Sequence, residues 1–214
     1  MAHILIVGAN GATARIVTER LLRETTDTLV LYLRNARRLA RYAGNARVTV
    51  IEGDATDVPA LTAAMVGIDL VYANLGGTAL ASTTNALVAA MSAAGVARLI
   101  FYSALGALHE VPGKFGAWNE QAIAAYLPGF RESAKILAAH PALNATQIRP
   151  AWLTDRDEID YETTSADDPF RGTEVSRQSV ADFVVRLIKD PTLYPNDSIG
   201  LNKPNTDGDK PAWM

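Results

Sequence analysis

The chain has no cysteine among its 214 residues. That excludes disulfides, thiolate catalysis and cysteine-held zinc or iron–sulfur centres. It has no excess of positive charge either: 20 Lys and Arg against 23 Asp and Glu leave a formal net charge of −3. With a sequence pI near 5.6, neither nucleic acid nor an anionic membrane is expected as a partner, because both select a basic face. No apolar run is long enough to span a bilayer. The opening MAHILIVGAN lacks the basic flank and extended apolar stretch of a secretion signal. The acidic run Asp155, Asp157, Glu158, Asp160 and Glu162 lacks the glycine turn of a calcium loop. It reads as a solvated edge, and no metal is expected. These absences point to a cytoplasmic protein; a small-molecule substrate is the expected partner, and a monomer or homodimer the expected state.

Apolar residues make up 49% of the chain and charged residues 20%, an ordinary globular balance. Short apolar runs alternate with helical patterns, which predicts a parallel sheet covered on both faces. The runs at residues 3–7, 29–33, 48–51, 70–73, 99–102 and 145–148 read as six strands. Between them, residues 12–23, 57–65 and 82–94 read as helices, the second with Asp57 as N-cap and Pro59 in its first turn. Gly106, Pro112, Gly113 and Gly116 mark a loop after strand five. A turn at 121–126, interrupted by Pro128 and Gly129, precedes a helix at about 131–139. Ile159 and Tyr161 alternate in a strand-like piece, and Ser176 or Ser179 caps a last helix striped by Val180, Phe183, Val184, Leu187 and Ile188. Residues 198–201 suggest one more strand. The organisation is one domain over 1–202 and a tail over 203–214.

The chemistry begins where strand one ends. Gly8-Ala9-Asn10-Gly11-Ala12-Thr13-Ala14 follows an apolar strand at once and opens a helix. In such a turn Gly8 permits the tight bend, Gly11 lets a pyrophosphate approach the backbone, and Ala14 allows close helix–sheet packing. The helix N-terminus offers free N–H groups and the positive end of its dipole to a phosphate. Asn10, Ala12 and Thr13 complete the loop. At the end of strand two stands Arg34, with Arg38 four residues on and no acid beside them in the sequence. An arginine there accommodates the 2′-phosphate of NADP(H), where a carboxylate would take the ribose of NAD(H), so NADP(H) is preferred. Asp54 and Ala55 after strand three suit the adenine, and Asn74 with Gly76 after strand four suits close passage of the cofactor backbone.

Taken together with Tyr102-Ser103-Ala104-Leu105-Gly106 and Ile148-Arg149-Pro150-Ala151-Trp152-Leu153, this pattern resembles the atypical short-chain dehydrogenase/reductases. The resemblance is to their NmrA-like NAD(P)H-binding group, relatives of biliverdin IXβ/flavin reductase. It covers most of the chain. It implies a Rossmann-type, doubly wound α/β fold with sheet order 3-2-1-4-5-6 and a short C-terminal extension. It also places Ser103 and Pro150 near the nicotinamide. The chain departs from the family in lacking the Tyr-x-x-x-Lys pair. Arg131 takes the lysine place, where it implies a ribose contact, and Leu127 takes the tyrosine place. Tyr126 lies one residue off. Ser103 and Tyr126 are the candidate catalytic side chains, and His109 is the only histidine near them. Tyr102, Phe115, Trp118, Tyr126 and Trp152 are candidates to stack on a flat acceptor. Two chemistries remain: hydride transfer to a planar or carbonyl-bearing acceptor, or non-catalytic NADP(H) binding by a redox-sensing regulator.

Overall fold

From His3 to Tyr102 strands and helical segments alternate along the chain, and the central strands, His3–Val7 and Leu70–Ala73, are buried on both faces. The computed structural model describes residues 1–214. In chain order the elements are β1 (His3–Val7), α1 (Ala12–Glu24), β2 (Thr28–Leu33), β3 (Val48–Glu52), α2 (Val58–Ala64), β4 (Leu70–Ala73), α3 (Leu80–Ala94) and β5 (Leu99–Tyr102). They continue with α4 (Gly113–Ala122), α5 (Leu127–Ala138), β6 (Thr146–Pro150), β7 (Trp152–Thr154), β8 (Glu162–Thr164), β9 (Glu174–Ser176), α6 (Arg177–Lys189) and β10 (Asp197–Asn202). The main sheet runs β3-β2-β1-β4-β5-β6-β10-β8, with β8 antiparallel to β10 and every other pairing parallel. The expected 3-2-1-4-5-6 order is therefore present, and the C-terminal strands extend it. A small parallel pair, β7 with β9, stands beside it.

β1 lies at the centre, and Ile4 to Val7 are fully buried, which is why its sequence is a continuous apolar run rather than an alternating one. Helices α1 and α6 cover one face and α2, α3 and α5 the other. Asp57 caps α2 by accepting from the Ala60 amide at 3.0 Å, and Ser176, not Ser179, caps α6. No helix is long and apolar enough to cross a membrane.

Three helix boundaries depart from the sequence reading. α4 occupies part of the predicted loop, α3 begins at Leu80, and α5 begins at Leu127. Gly116 was expected to break structure, yet a Cβ there would overlap the Val111 carbonyl, so the glycine permits close packing inside a helix. Pro128 falls in the first turn of α5, where a missing N–H costs nothing. Gly129 rests on Leu80. The strand-like piece moved as well: Ile159 is exposed and β8 starts only after Tyr161. Residues beyond β10 remain hydrogen-bonded to the fold, Lys203 N–H to the Glu174 carbonyl at 2.8 Å and Thr173 Oγ1 to the Thr206 carbonyl at 2.7 Å.

Candidate functional site

The helix that follows the first strand begins without a side-chain cap. Gly11 is the N-cap of α1, no side chain bonds to it, and the first turn carries no acid. Its leading N–H groups and the positive end of its dipole are free for an anion. Gly8 adopts a left-handed φ of 79°. A Cβ at Gly8 would overlap the Asn74 carbonyl, and one at Gly11 would overlap the Asn74 side-chain amide. The glycines thus answer first to Asn74, which reaches across from the end of β4, and the free amides of the α1 N-terminus are what that fit leaves open. Asn74 is tied to β1 by its N–H, which donates to the Val7 carbonyl at 2.9 Å.

A cleft of about 590 Å³ opens at the carboxyl ends of β1 to β4. Gly8, Asn10, Gly11, Arg34, Arg38, Asp54, Ala55, Asn74 and Gly76 all line it. Strand order reverses between β1 and β4, so the cleft occupies the topological switch point of the sheet. A broader hollow of about 790 Å³ lies at the opposite end, by Met1, Arg23–Asp27 and Ile188. It faces the carbonyl end of α1, which repels phosphate.

Arg34 and Arg38 are exposed on the rim, and the chain between and beyond them forms a 3₁₀ turn over Ala36–Tyr42. Arg41, next along that turn, is occupied by Glu19 at 2.9 Å. An acid does come near this turn, although none is adjacent in sequence: Glu52, at the end of β3, accepts from the Ala36 amide at 2.8 Å. It caps the turn that carries the arginines. Asp54 folds its carboxylate onto its own chain, accepting from the Thr56 N–H at 2.9 Å and the Thr56 hydroxyl at 2.7 Å. Those bonds, with a smaller contribution from Arg34, hold its carboxyl below the usual range. Gly53 gives room to the Tyr32 ring, whose hydroxyl donates to the Asp54 carbonyl at 3.0 Å.

Beyond the cleft, at the end of β5, Ser103 is buried and its hydroxyl has no hydrogen-bond partner. Its N–H donates to the Ile148 carbonyl at 2.8 Å. A covered hydroxyl without a partner is costly, and one placed at the strand ends of a dinucleotide fold suits a ligand contact. The uncapped helix, the glycine turn, the basic rim and this hydroxyl together fit a dinucleotide.

The family described as NAD(P)H-binding matches residues 8–191. The chain belongs to that family. A Rossmann-fold NAD(P)-binding family protein from Shigella flexneri is 40% identical over the whole of both chains, with a TM-score of 0.84. A wide-type short-chain dehydrogenase/reductase from Veillonella parvula, solved in complex with NADP, is 30% identical over 99% of both chains, with a TM-score of 0.92. ChuY, an anaerobilin reductase from Escherichia coli O157:H7, is 21% identical over 96% of this chain and 99% of that one, with a TM-score of 0.80, and shares the fold. None of the curated proteins compared is a match.

The remaining expected site residues of this NAD(P)H-binding protein stand in different places. Ala12 is exposed in the first turn of α1, and Thr13 is buried beside Tyr102. The Tyr102 hydroxyl is covered, and burial pushes its pKa up to about 12 against the opposing influence of Thr13 and Arg177. Pro150 is buried in β6, its carbonyl accepting from the Leu105 N–H at 3.3 Å. Arg131 points elsewhere: its guanidinium donates to the Gly106 carbonyl at 3.1 and 3.2 Å and pairs with Glu120, so it braces the loop after β5. Tyr126 is half-exposed at the start of α5, outside the cleft lining. His109 is exposed, with a left-handed φ of 61°. His3 meets Thr28 at the far end of the sheet, and the His140 Nδ1 donates to the Ile136 carbonyl at 2.7 Å, closing α5.

Sequence reasoning missed the buried pair that holds the loop after β5. Arg149, wholly buried, binds Glu110, and Glu110 accepts from the Gly106 N–H at 3.1 Å and the Leu108 N–H at 2.9 Å. Arg149 also donates to the Ser198 hydroxyl at 2.9 Å and the Ser165 carbonyl at 3.1 Å. The Arg-Pro pair carried a family signal, but its partner on a loop gave none.

Proposed function

We propose that this protein is an NADP(H)-dependent oxidoreductase of the atypical short-chain type, similar to the NmrA-like group. It transfers hydride to a small planar or carbonyl-bearing acceptor without a tyrosine–lysine pair. The observation that carries this reading is the convergence of the uncapped α1 N-terminus and the unpaired rim arginines Arg34 and Arg38 on one cleft. The NADP bound to the Veillonella relative supports the cofactor choice, and the reductase activity named for ChuY supports the reaction class.

The α1 amides and the glycine turn bind the pyrophosphate. Arg34 and Arg38 bind the 2′-phosphate through the planar, multi-donor fork of the guanidinium. Ala55 and the backbone around Asp54 flank the adenine. When bound, the dinucleotide supplies the hydride. Ser103 orients the acceptor or the nicotinamide amide rather than giving up a proton, since a serine hydroxyl is a poor acid. Tyr102, held near pKa 12, does not donate one readily at neutral pH. Solvent therefore protonates the product, which a conjugated acceptor tolerates. The chain's own contribution is placement of the reacting atoms.

Steady-state NADPH oxidation with FMN and menadione tests the reading. Turnover that is faster with NADPH than with NADH is expected. Tight NADP⁺ binding without turnover on either acceptor would instead favour a redox-sensing regulator. The observation behind that second reading is that Tyr126 and Arg131 do not assemble into a proton-donating pair.

A further inference from the structure

All three tryptophans of the chain meet at one place. Trp152 opens β7, just past the end of β6. Its indole N–H donates to the Asn119 side-chain carbonyl at 3.0 Å, and the Asn119 amide donates to the Leu105 carbonyl at 3.5 Å. The indole is thus fixed to the loop that begins at Ser103. Trp118 packs against it with ring centres 4.7 Å apart, and Trp213 meets it edge-on at 6.2 Å.

The position of this cluster follows from the cleft. Arg34, Arg38, Gly53 and Asp54 put the adenosine end over β2 and β3. A dinucleotide crossing the switch point then has its other end over β5 and β6, where Ser103 and Trp152 stand. Three hydroxyls at this end of the sheet are buried without partners: those of Tyr102 and Ser103 at the end of β5, and that of Thr154, two residues beyond Trp152 on the same face of β7. Trp213 is 49% exposed. The segment that carries it is nevertheless fixed, by Lys203 to Glu174, by Thr206 to Thr173, and by Lys114 to Asp209 at 3.2 Å. A half-open indole packed on a second indole, at the end of the sheet where buried hydroxyls lack partners, has the chemistry of a stacking site.

We infer that residues 203–214 form one wall of the acceptor site and that Trp213 is a specificity-determining residue stacking on a planar, conjugated acceptor. This rests on the reductase reading above and assigns its acceptor wall to the end of the chain. The experiment compares the full chain with Trp213→Ala and Trp213→Phe, each saturated with NADP⁺ and titrated calorimetrically with FMN. Trp213→Ala is expected to raise the FMN Kd about threefold to tenfold, the range of a lost aromatic pair. Trp213→Phe restores most of the affinity, and the NADP⁺ Kd is the same in all three. Equal FMN affinity in Trp213→Ala, or no FMN binding to the NADP⁺-loaded wild type, overturns the assignment. NADPH oxidation by FMN in the same samples separates the two readings. FMN held through Trp213 without turnover keeps the wall and removes the reductase. Turnover with an unchanged KM for FMN in Trp213→Ala does the reverse.

Discussion

Asn74 shapes the glycine turn from outside it. Gly8 and Gly44 have nearly the same left-handed φ, 79° and 81°, but only Gly8 has a neighbour that a Cβ would strike. Gly44→Ala therefore measures backbone strain alone, about 1–2 kcal/mol. Gly8→Ala adds overlap with the Asn74 backbone, and urea unfolding is expected to show a larger loss for it than for Gly44→Ala; equal losses would remove the role of Asn74. The rim arginines make a separable prediction. Arg34→Ala is expected to weaken NADP⁺ binding about tenfold or more, from ~1.5–3 kcal/mol for a charge-assisted hydrogen bond, and to leave NAD⁺ binding nearly unchanged. Equal losses for both dinucleotides would contradict the 2′-phosphate assignment. At this scale the sequence was readable for types and unreadable for partners. Gly8, Gly11, Arg34 and Asn74 were all visible as candidates, and all four line the cleft. That Asn74 dictates the glycines, or that Glu52 caps the turn beneath the arginines, depends on residues brought together only by the sheet.

Among the elements, α1 and α6 are joined by a charged staple. Arg20 of α1 binds Glu24 at 2.8 Å and Asp182 of α6 at 2.8 Å, and Lys189 of α6 reaches Glu24 at 2.9 Å. The hydrogen bond from Arg20, with help from Lys189, lowers the Glu24 pKa from 4.5 to about 2. A carboxyl depressed on folding adds stability that is complete above its unfolded pKa and is lost as pH falls through the folded one. The stability difference between wild type and Glu24→Gln is therefore expected to be constant above pH 4.5 and to shrink toward pH 2. Thermal melts across that interval check it, and a pH-independent difference would show that the charge plays no part. The β/α rhythm itself was legible because buried parallel strands are apolar runs and their helices carry apolar stripes. α4 and the start of α5 were not, because Gly113, Gly116, Pro128 and Gly129 signal breaks unless the neighbours are known. Val111 and Leu80 supply the contacts that make Gly116 and Gly129 helix residues.

For the molecule as a whole, the Arg149–Glu110 pair links three otherwise separate parts: β6, β10 through Ser198, and the loop after β5. Both side chains are buried, at 0% and 3% exposure. Removing one leaves the other charge without compensation, at a cost of about 3–5 kcal/mol. Arg149→Met is expected to lose that much in denaturant unfolding, with faster hydrogen exchange at the Gly106 and Leu108 amides that Glu110 holds. Arg149→Met combined with Glu110→Leu is expected to recover part of the loss; no recovery would mean that the pair acts through packing alone. The parallel sheet also fixes where the ends of the chain emerge. Met1 leaves at the amino ends of the strands, by Arg23–Asp27, whereas Trp213 and Met214 lie on the side where β6 ends. A purification tag joined at the amino end sits a full strand length from the dinucleotide cleft, but one joined after Met214 hangs over the tryptophans. The proposed acceptor wall therefore predicts that preparations differing only in tag position differ in FMN affinity while binding NADP⁺ alike.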